Sequence, residues 1–221
     1  MWDVFAPCLI LAYGVGRMGC QLSGDGDWGI LNSAYIVSSD EKSIAAGPGE
    51  FEKGLKENER YFMRTFHPVQ SLEEIPTASF KGFSFLPNWF WAFSYPNNVI
   101  TEGIPVTNCE STPCGANSYC ARLPLPVFPT PMYESILGIL IFILLWSLRK
   151  KLKIHGQITG IYLLLNGLER FTIEKIRVNA TIDFIGIQVT QAEIISSVLI
   201  LAGIGILIYV TLKKRPSEKL D

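Results

Sequence analysis

Two stretches of this chain, Met132 to Leu148 and Ile194 to Leu212, are almost free of charge. At about 1.5 Å of rise per residue, a helix of either length crosses most or all of a hydrocarbon layer about 30 Å thick. Both predict membrane-spanning helices, which sets the fold class: an all-α integral membrane protein, a bundle of transmembrane helices with a mixed extracytoplasmic insertion. A third stretch, Ile158 to Ile173, is apolar but broken by Asn166, Glu169 and Arg170, so hydropathy alone ranks it lower. A fourth, Trp2 to Val15, is short. It lacks the basic leader and small-residue cleavage site of a removable signal peptide.

Charge placement gives an orientation. Arg149, Lys150, Lys151 and Lys153 follow the first clear span, and Lys213, Lys214 and Arg215 follow the last. Both of those ends are expected on the cytoplasmic side. The helix between them then runs outward, and residues 30–128, together with the turn from about Arg177 to Gln191, lie on the far side. Four parts are expected: an N-terminal membrane segment over 1–29, an extracytoplasmic region over 30–128, a three-helix block over 129–215 and a cytoplasmic tail over 216–221. The net charge is -1, and no basic stripe interleaved with aromatics supports a nucleic-acid partner.

The outer region is mixed. Asp40 to Arg64 is charged and reads as surface helix or loop, whereas Phe80 to Tyr95 is dense in aromatics. Trp89, Trp91 and Tyr95 either rest on lipid headgroups, where such rings concentrate, or pack a small core of their own. His67-Pro68 has no visible carboxylate or nucleophile partner and reads as structural. Of five cysteines, Cys109, Cys114 and Cys120 fall in this region. An oxidising compartment allows one disulfide there, with the pairing open and unpaired thiols the alternative. No histidine pair accompanies them, so no metal site is expected.

Three motifs carry chemistry. In Asn166-Gly-Leu-Glu-Arg170-Phe-Thr-Ile-Glu174-Lys-Ile-Arg177, residues 166, 170, 174 and 177 are four, four and three apart, which predicts one shared helical face. A central arginine costs a membrane helix roughly 2.5–3.5 kcal/mol on insertion scales, so such groups tend to face an interior cavity and mark function. The plainer alternative has Arg170 and Arg177 snorkelling to headgroups while Glu174 neutralises one of them. It leaves the alignment unexplained.

In Gly14-Val-Gly16-Arg17-Met-Gly19-Cys20 the glycines are expected to let backbones approach closely around a further cation. The following Ser23-Gly-Asp25-Gly-Asp27-Trp-Gly29 run forces an exit turn. Its alternate oxygen ligands look like the start of a calcium loop, but Trp28 and Ala34 stand where that loop needs glycine and glutamate. A tight surface turn is the simpler option. In Pro129-Thr130-Pro131-Met-Tyr133-Glu134, Thr130 suits an N-cap and Pro131 the first helical position. The free N–H groups of such a helix start favour anions, and Tyr133 can donate nearby. Several guanidiniums in a partly dehydrated pocket match phosphate geometry, so a phospholipid headgroup is the natural ligand.

At these three motifs the sequence resembles the prolipoprotein diacylglyceryl transferase family, over residues 1–29 and 129–212. The matching positions are Gly16-Arg17-Met18-Gly19-Cys20, Ser23-Gly24-Asp25, Trp28-Gly29, Phe128 through Glu134, and Asn166 through Arg177. Cys20, Phe128 and Asn166 replace an asparagine, a histidine and a tyrosine of the family pattern. The resemblance implies transfer of the diacylglyceryl group of phosphatidylglycerol to the lipobox cysteine of a bacterial prolipoprotein, without a cofactor, at the inner membrane. Its substrates are then membrane lipid and the prolipoprotein signal peptide.

It places Arg17, Arg170 and Arg177 on the phosphate, with Glu174 orienting an arginine, and Tyr133, Glu134, Asp25 and Asn166 contacting substrate. The attacking thiol belongs to the substrate, so Cys20 is not a nucleophile. Family members carry further helices ahead of the Gly-Arg motif, with a His-Gly-Gly stretch whose histidine is a candidate base for the thiol; an N-terminal partner or extension is expected to supply it, the alternatives being a truncated product, a misplaced start or a paralogue without activity. The competing expectation is a non-catalytic membrane protein that binds anionic phospholipid or a lipoprotein precursor through the same arginines.

Overall fold

The computed structural model describes residues 2–66, 69–106, 119–152, 154–177, 181–184 and 187–214. In chain order the elements are α1 (Trp2–Ser23), β1 (Leu31–Asn32), β2 (Tyr35–Val37), β3 (Ser43–Ala45), α2 (Glu50–Glu57), α3 (Glu59–Thr65), β4 (Thr77–Ala78), β5 (Ile104–Pro105), β6 (Ala121–Arg122), α4 (Thr130–Leu148), α5 (Gln157–Glu174), β7 (Thr181–Phe184), β8 (Ile187–Thr190) and α6 (Gln191–Lys214). They form two compact units. A helical unit comprises residues 1–19, 131–175 and 179–221, and a second unit comprises 20–130 with 176–178.

In the helical unit, α1, α4 and α6 are long and apolar enough to cross a membrane. Their outer faces stay apolar: Leu9 and Val15 on α1, Leu140 and Ile143 on α4, and Leu201 and Tyr209 on α6 are all exposed. Contiguous apolar surface of this kind is a liability in water and ordinary solvation in lipid. The first apolar segment, expected to be short, runs on as helix to Ser23. The interior seam joins Ala6 and Ile10 of α1 to Ile141 and Leu145 of α4 and Ile158 of α5. Gly14 and Gly138 make the α1–α4 contact close, since a Cβ on Gly138 would lie 3.1 Å from the Gly14 Cα. Helices α5 and α6 meet through Gly160 and Gly203 in the same way, a Cβ on Gly203 falling 2.8 Å from the Gly160 carbonyl oxygen.

The start of α5 is held from another helix. Its N-cap, Gly156, has no side chain and sits at φ 96°. The Asp3 carboxylate of α1 takes over, accepting from Gly156 N at 2.6 Å, Thr159 N at 2.9 Å and Thr159 Oγ1 at 2.7 Å. An acid at a helix N-terminus also complements the dipole.

Short strands correct the all-α expectation. The chain is helix-rich, but among the described residues four two-stranded sheets form: parallel β1–β4 and antiparallel β2–β3 and β5–β6 in the second unit, and antiparallel β7–β8 in the helical unit. Prolines 76, 87, 96 and 105 withhold backbone donors at short intervals in the 30–128 region, so its ladders stop after two or three pairs. Buried asparagines satisfy what the ladders leave. Asn32 donates to the Phe80 and Trp91 carbonyls and accepts from Ala34 N and Phe80 N. Asn98 donates to the Tyr95, Glu102 and Ala121 carbonyls and accepts from Glu102 N at 2.7 Å.

The core of this unit gathers Leu31, Phe51 and Leu55 of α2, Phe62 of α3, Ile75, Tyr95, Leu123, Leu125 and Val127. The charged 40–64 stretch is thus the short strand β3 followed by surface helices α2 and α3 with an apolar inner edge. Tyr95, considered for the headgroup boundary, is 2% exposed and donates to Gln21 Oε1. Trp91 packs against Phe80 and Phe90, while Trp89 is exposed. Cys120 is disulfide-bonded. Cys109, Cys114, His67 and Pro68 lie outside the described residues, as does the 216–221 tail.

Candidate functional site

In the helical unit, the Arg17 Nε donates to the Glu134 carboxylate, joining the C-terminal half of α1 to the first turn of α4. The two side chains are 14% and 5% exposed, so the pair is largely desolvated. Such a pair is costly unless its geometry is good, and it holds each partner in a single arrangement. Tyr13 lies one turn before Arg17 and carries its ring 6.0 Å from the guanidinium carbon. Helix α5 brings Glu169 and Arg170 to the same place, because Glu169, Glu134, Arg17 and Arg170 all act electrostatically on Tyr13. One polar cluster therefore draws on three helices, with two cations, two carboxylates and a phenol. Glu169 is buried and Arg170 is exposed.

In the second unit, the other halves of the motifs are tied together. Arg177 donates to the Asp27 carboxylate in a charge-assisted pair. The Asp27 carbonyl accepts from Thr130 Oγ1 at 2.9 Å. Gly29 N donates to Phe128 O, Phe128 N to Ile30 O, and Ile30 N to Ile176 O, all at 2.9 or 3.0 Å. Gly29 is required here by space: an added Cβ would stand 2.6 Å from the Ile176 oxygen and 2.9 Å from the Phe128 oxygen. The exit turn itself uses Gly24 and Gly26 at φ 63° and 101°, which glycine alone adopts freely.

The expected residues thus separate in instructive ways. Asn166, Arg170 and Glu174 do share α5, but that helix ends at Glu174, and Arg177 stands beyond it in an antiparallel bridge with Gly29. Glu174 is buried, Asn166 and Tyr133 are half-buried, and Asp25 is exposed on the turn. Thr130, expected as an N-cap, opens α4 and donates its hydroxyl to the Asp27 carbonyl. Of the glycines around Arg17, Gly14 makes a close approach, whereas a Cβ on Gly16 or Gly19 meets nothing within 4 Å.

Tyr13 and Glu169 were not singled out by motif. The signal for Tyr13 is its position one helical turn before Arg17. For Glu169 it is a carboxylate continuing the apolar stripe Ile158, Tyr162, Leu165 at spacings of four, three and four. Among the described residues, Cys20, Asp25 and Asp27 bring potential metal ligands within 4.8 Å of one another, but the Asp27 carboxylate is already neutralised by Arg177.

Apolar helices long enough to span a bilayer, with an ion pair and a further carboxylate buried among them, define a membrane protein. The chain belongs to the prolipoprotein diacylglyceryl transferase family, whose model matches residues 1–209. A Chlorobaculum tepidum protein named phosphatidylglycerol–prolipoprotein diacylglyceryl transferase is 36% identical over 95 residues, 42% of this chain and 32% of its own length. Proteins of the same name from Streptococcus sanguinis and Janthinobacterium sp. are 40% identical over 90 residues and 33% identical over 129 residues. Those matches cover 40% and 58% of this chain, and 33% and 48% of the relatives. The chain therefore spans between a third and a half of the curated relatives it matches. No solved structure matches it.

Proposed function

We propose that this chain supplies the phosphate-holding part of an enzyme that moves the diacylglyceryl group of phosphatidylglycerol onto the cysteine thiol of a bacterial prolipoprotein. The observation that carries this reading is the Arg17–Glu134 pair inside apolar helices, with Arg170 beside it. Displacement at a glyceryl carbon releases a phosphate ester, and fixed guanidiniums stabilise the charge that develops on its oxygens. Arg17 and Arg170 are assigned to that phosphate. Glu134 orients Arg17, while Tyr133, Asn166 and Glu174 line the lipid side.

Arg177, bonded to Asp27, is assigned to holding the Asp25–Gly29 turn in shape. The charges after α4 and at the end of α6 support a cytoplasmic placement for those ends, with residues 30–128 outside a bacterial inner membrane.

The test is transfer of radiolabel from phosphatidylglycerol to a lipobox peptide in membranes containing the full protein. Arg170→Ala and Arg17→Ala are each expected to lower the rate roughly 10²–10³-fold, the typical loss of one charge-stabilising donor. Unchanged rates in both variants would refute the assignment. Lipid binding without any transfer, in the native protein, would favour a binding role instead.

A further inference from the structure

A cavity of about 500 Å³ opens in the helical unit among α1, α4 and the start of α5. Pro7 and Cys8 of α1, Trp146 of α4 and Ile158 of α5 form its apolar wall, and the exposed Arg149 and His155 stand where α4 ends and α5 begins. Arg149 follows Glu134 by 15 residues, about 22 Å of helix, so this is not the polar cluster around Arg17.

Charge around the cavity is one-sided. From residue 135 to residue 168 the chain carries Arg149, Lys150, Lys151 and Lys153 and no acid. Among the described residues, no carboxylate pairs with Arg149, Lys150 or Lys151. Asp3 also lines the cavity, but its oxygens already accept from Gly156 and Thr159. The Arg149 guanidinium lies over the Trp146 ring, 3.3 Å from its centroid. Stacking by the face holds the cation in place and keeps its N–H edge for an acceptor. His155 adds a ring N–H donor in either charge state.

Basic residues after a spanning helix need no site, because they orient the helix in the membrane. That accounts for the charges and not for the hollow beside them. Polarity changes in one direction here, from cations at the helix ends to apolar surface along α1, where the exposed Val4, Phe5, Cys8 and Leu9 form one stripe. A phospholipid has its parts in the same order, headgroup and then chains. A neighbouring apolar helix would cover the wall and leave the guanidinium without an acceptor.

We infer that this cavity binds cardiolipin, a phospholipid with two phosphates, from the leaflet on the basic side of the helices. Basic pockets between spanning helices recognise that headgroup. Arg149 and His155 take one phosphate at the cavity, and Lys150 and Lys151, exposed in the turn after α4, take the other. A lipid with a single phosphate leaves the two lysines unmatched, so phosphatidylglycerol belongs to the Arg17 cluster and not to this cavity. The site is independent of the reaction proposed above.

The experiment weighs bound lipid by mass spectrometry on the full protein, extracted in mild detergent from membranes that contain cardiolipin, phosphatidylglycerol and a zwitterionic phospholipid. Two variants are compared with native protein. One joins Arg149→Ala, Lys150→Ala and Lys151→Ala and removes the charge; the other, Cys8→Trp, fills the cavity and keeps the charge. Both alter exposed residues. Each is expected to carry at least tenfold less cardiolipin than native, with phosphatidylglycerol unchanged, which also shows that the helical unit is intact. The Arg17→Ala, Arg170→Ala double variant is expected to do the reverse.

Native protein without cardiolipin would overturn the inference. So would native amounts on the triple variant, because the cations would not be holding the lipid, or on Cys8→Trp, because the lipid would lie outside the cavity. Phosphatidylglycerol kept by the Arg17, Arg170 double variant would count against the phosphate assignment made above and leave this site standing.

Discussion

Replacing Gly29 by alanine is the sharpest test of the second unit, because it and two glycines of α1, Gly16 and Gly19, are given opposite fates. A methyl at Gly29 would lie 2.6 Å from the Ile176 oxygen, 2.8 Å from Thr130 Cγ2 and 2.9 Å from the Phe128 oxygen. Two of those atoms belong to backbone that is itself hydrogen-bonded to residues 29 and 30, so neither can turn aside without parting the strands. Overpacking costs about 1–3 kcal/mol and one weakened backbone bond about 0.5–1.5 more, or roughly 2–4 kcal/mol together. For a chain of this size that lowers Tm by on the order of 5–15 °C.

The same change at Gly16 or Gly19 meets open space in the helix and should leave stability equal or slightly higher. Thermal unfolding in detergent, followed by near-UV circular dichroism, reads all three. Trp28 sits next to Gly29, with its ring centroid 5.1 Å from that of Tyr95, and contributes to the signal. A Gly29→Ala protein as stable as native, or Gly16→Ala as damaged as Gly29→Ala, would refute the reasoning.

Two further changes probe how the units are held. Asp3→Ala removes the acceptor of three hydrogen bonds at the start of α5 and should cost about 0.5–2 kcal/mol, read as a lowered midpoint in a detergent melt. Asn98→Ala removes the side-chain donor to the Tyr95 and Glu102 carbonyls and the acceptor of Glu102 N, leaving Ala121 O its bond from the residue 98 backbone, around a residue 1% exposed, and should cost on the order of 2–3 kcal/mol. Faster proteolysis of the 20–130 region would register it.

Much of the fold could be read from the residues, and the places where it could not share a cause. Helices α4 and α6 follow from the absence of charge over enough length. The exit turn follows from Gly24 and Gly26, whose positive φ values no other residue adopts cheaply. Helix α1 looked shorter than it is because its Gly-rich second half and Arg17 resemble a break. The partner that keeps Arg17 inside, Glu134, is 117 residues away.

On α5, spacing identified a shared stripe for Asn166, Arg170 and Glu174. Which side of a helix is covered depends on its neighbours, and the packing on α1 and α4 covers Glu169 while leaving Arg170 exposed. The helix stops before Arg177 because residues 176 and 177 take extended pairing with residues 29 and 30, a contact no local signal announces. The β1–β4 and β5–β6 pairs are hard to foresee for a similar reason, since the buried Asn32 and Asn98 rather than long ladders satisfy the backbone around them.

Lipid retained on purification reads the helical charge cluster without requiring turnover. Native protein and the Arg17→Ala, Arg170→Ala double variant, extracted from the same membranes in mild detergent, should differ at least tenfold in bound phosphatidylglycerol while holding equal amounts of zwitterionic lipid. Equal phosphatidylglycerol on both proteins would mean that these guanidiniums do not hold a lipid phosphate.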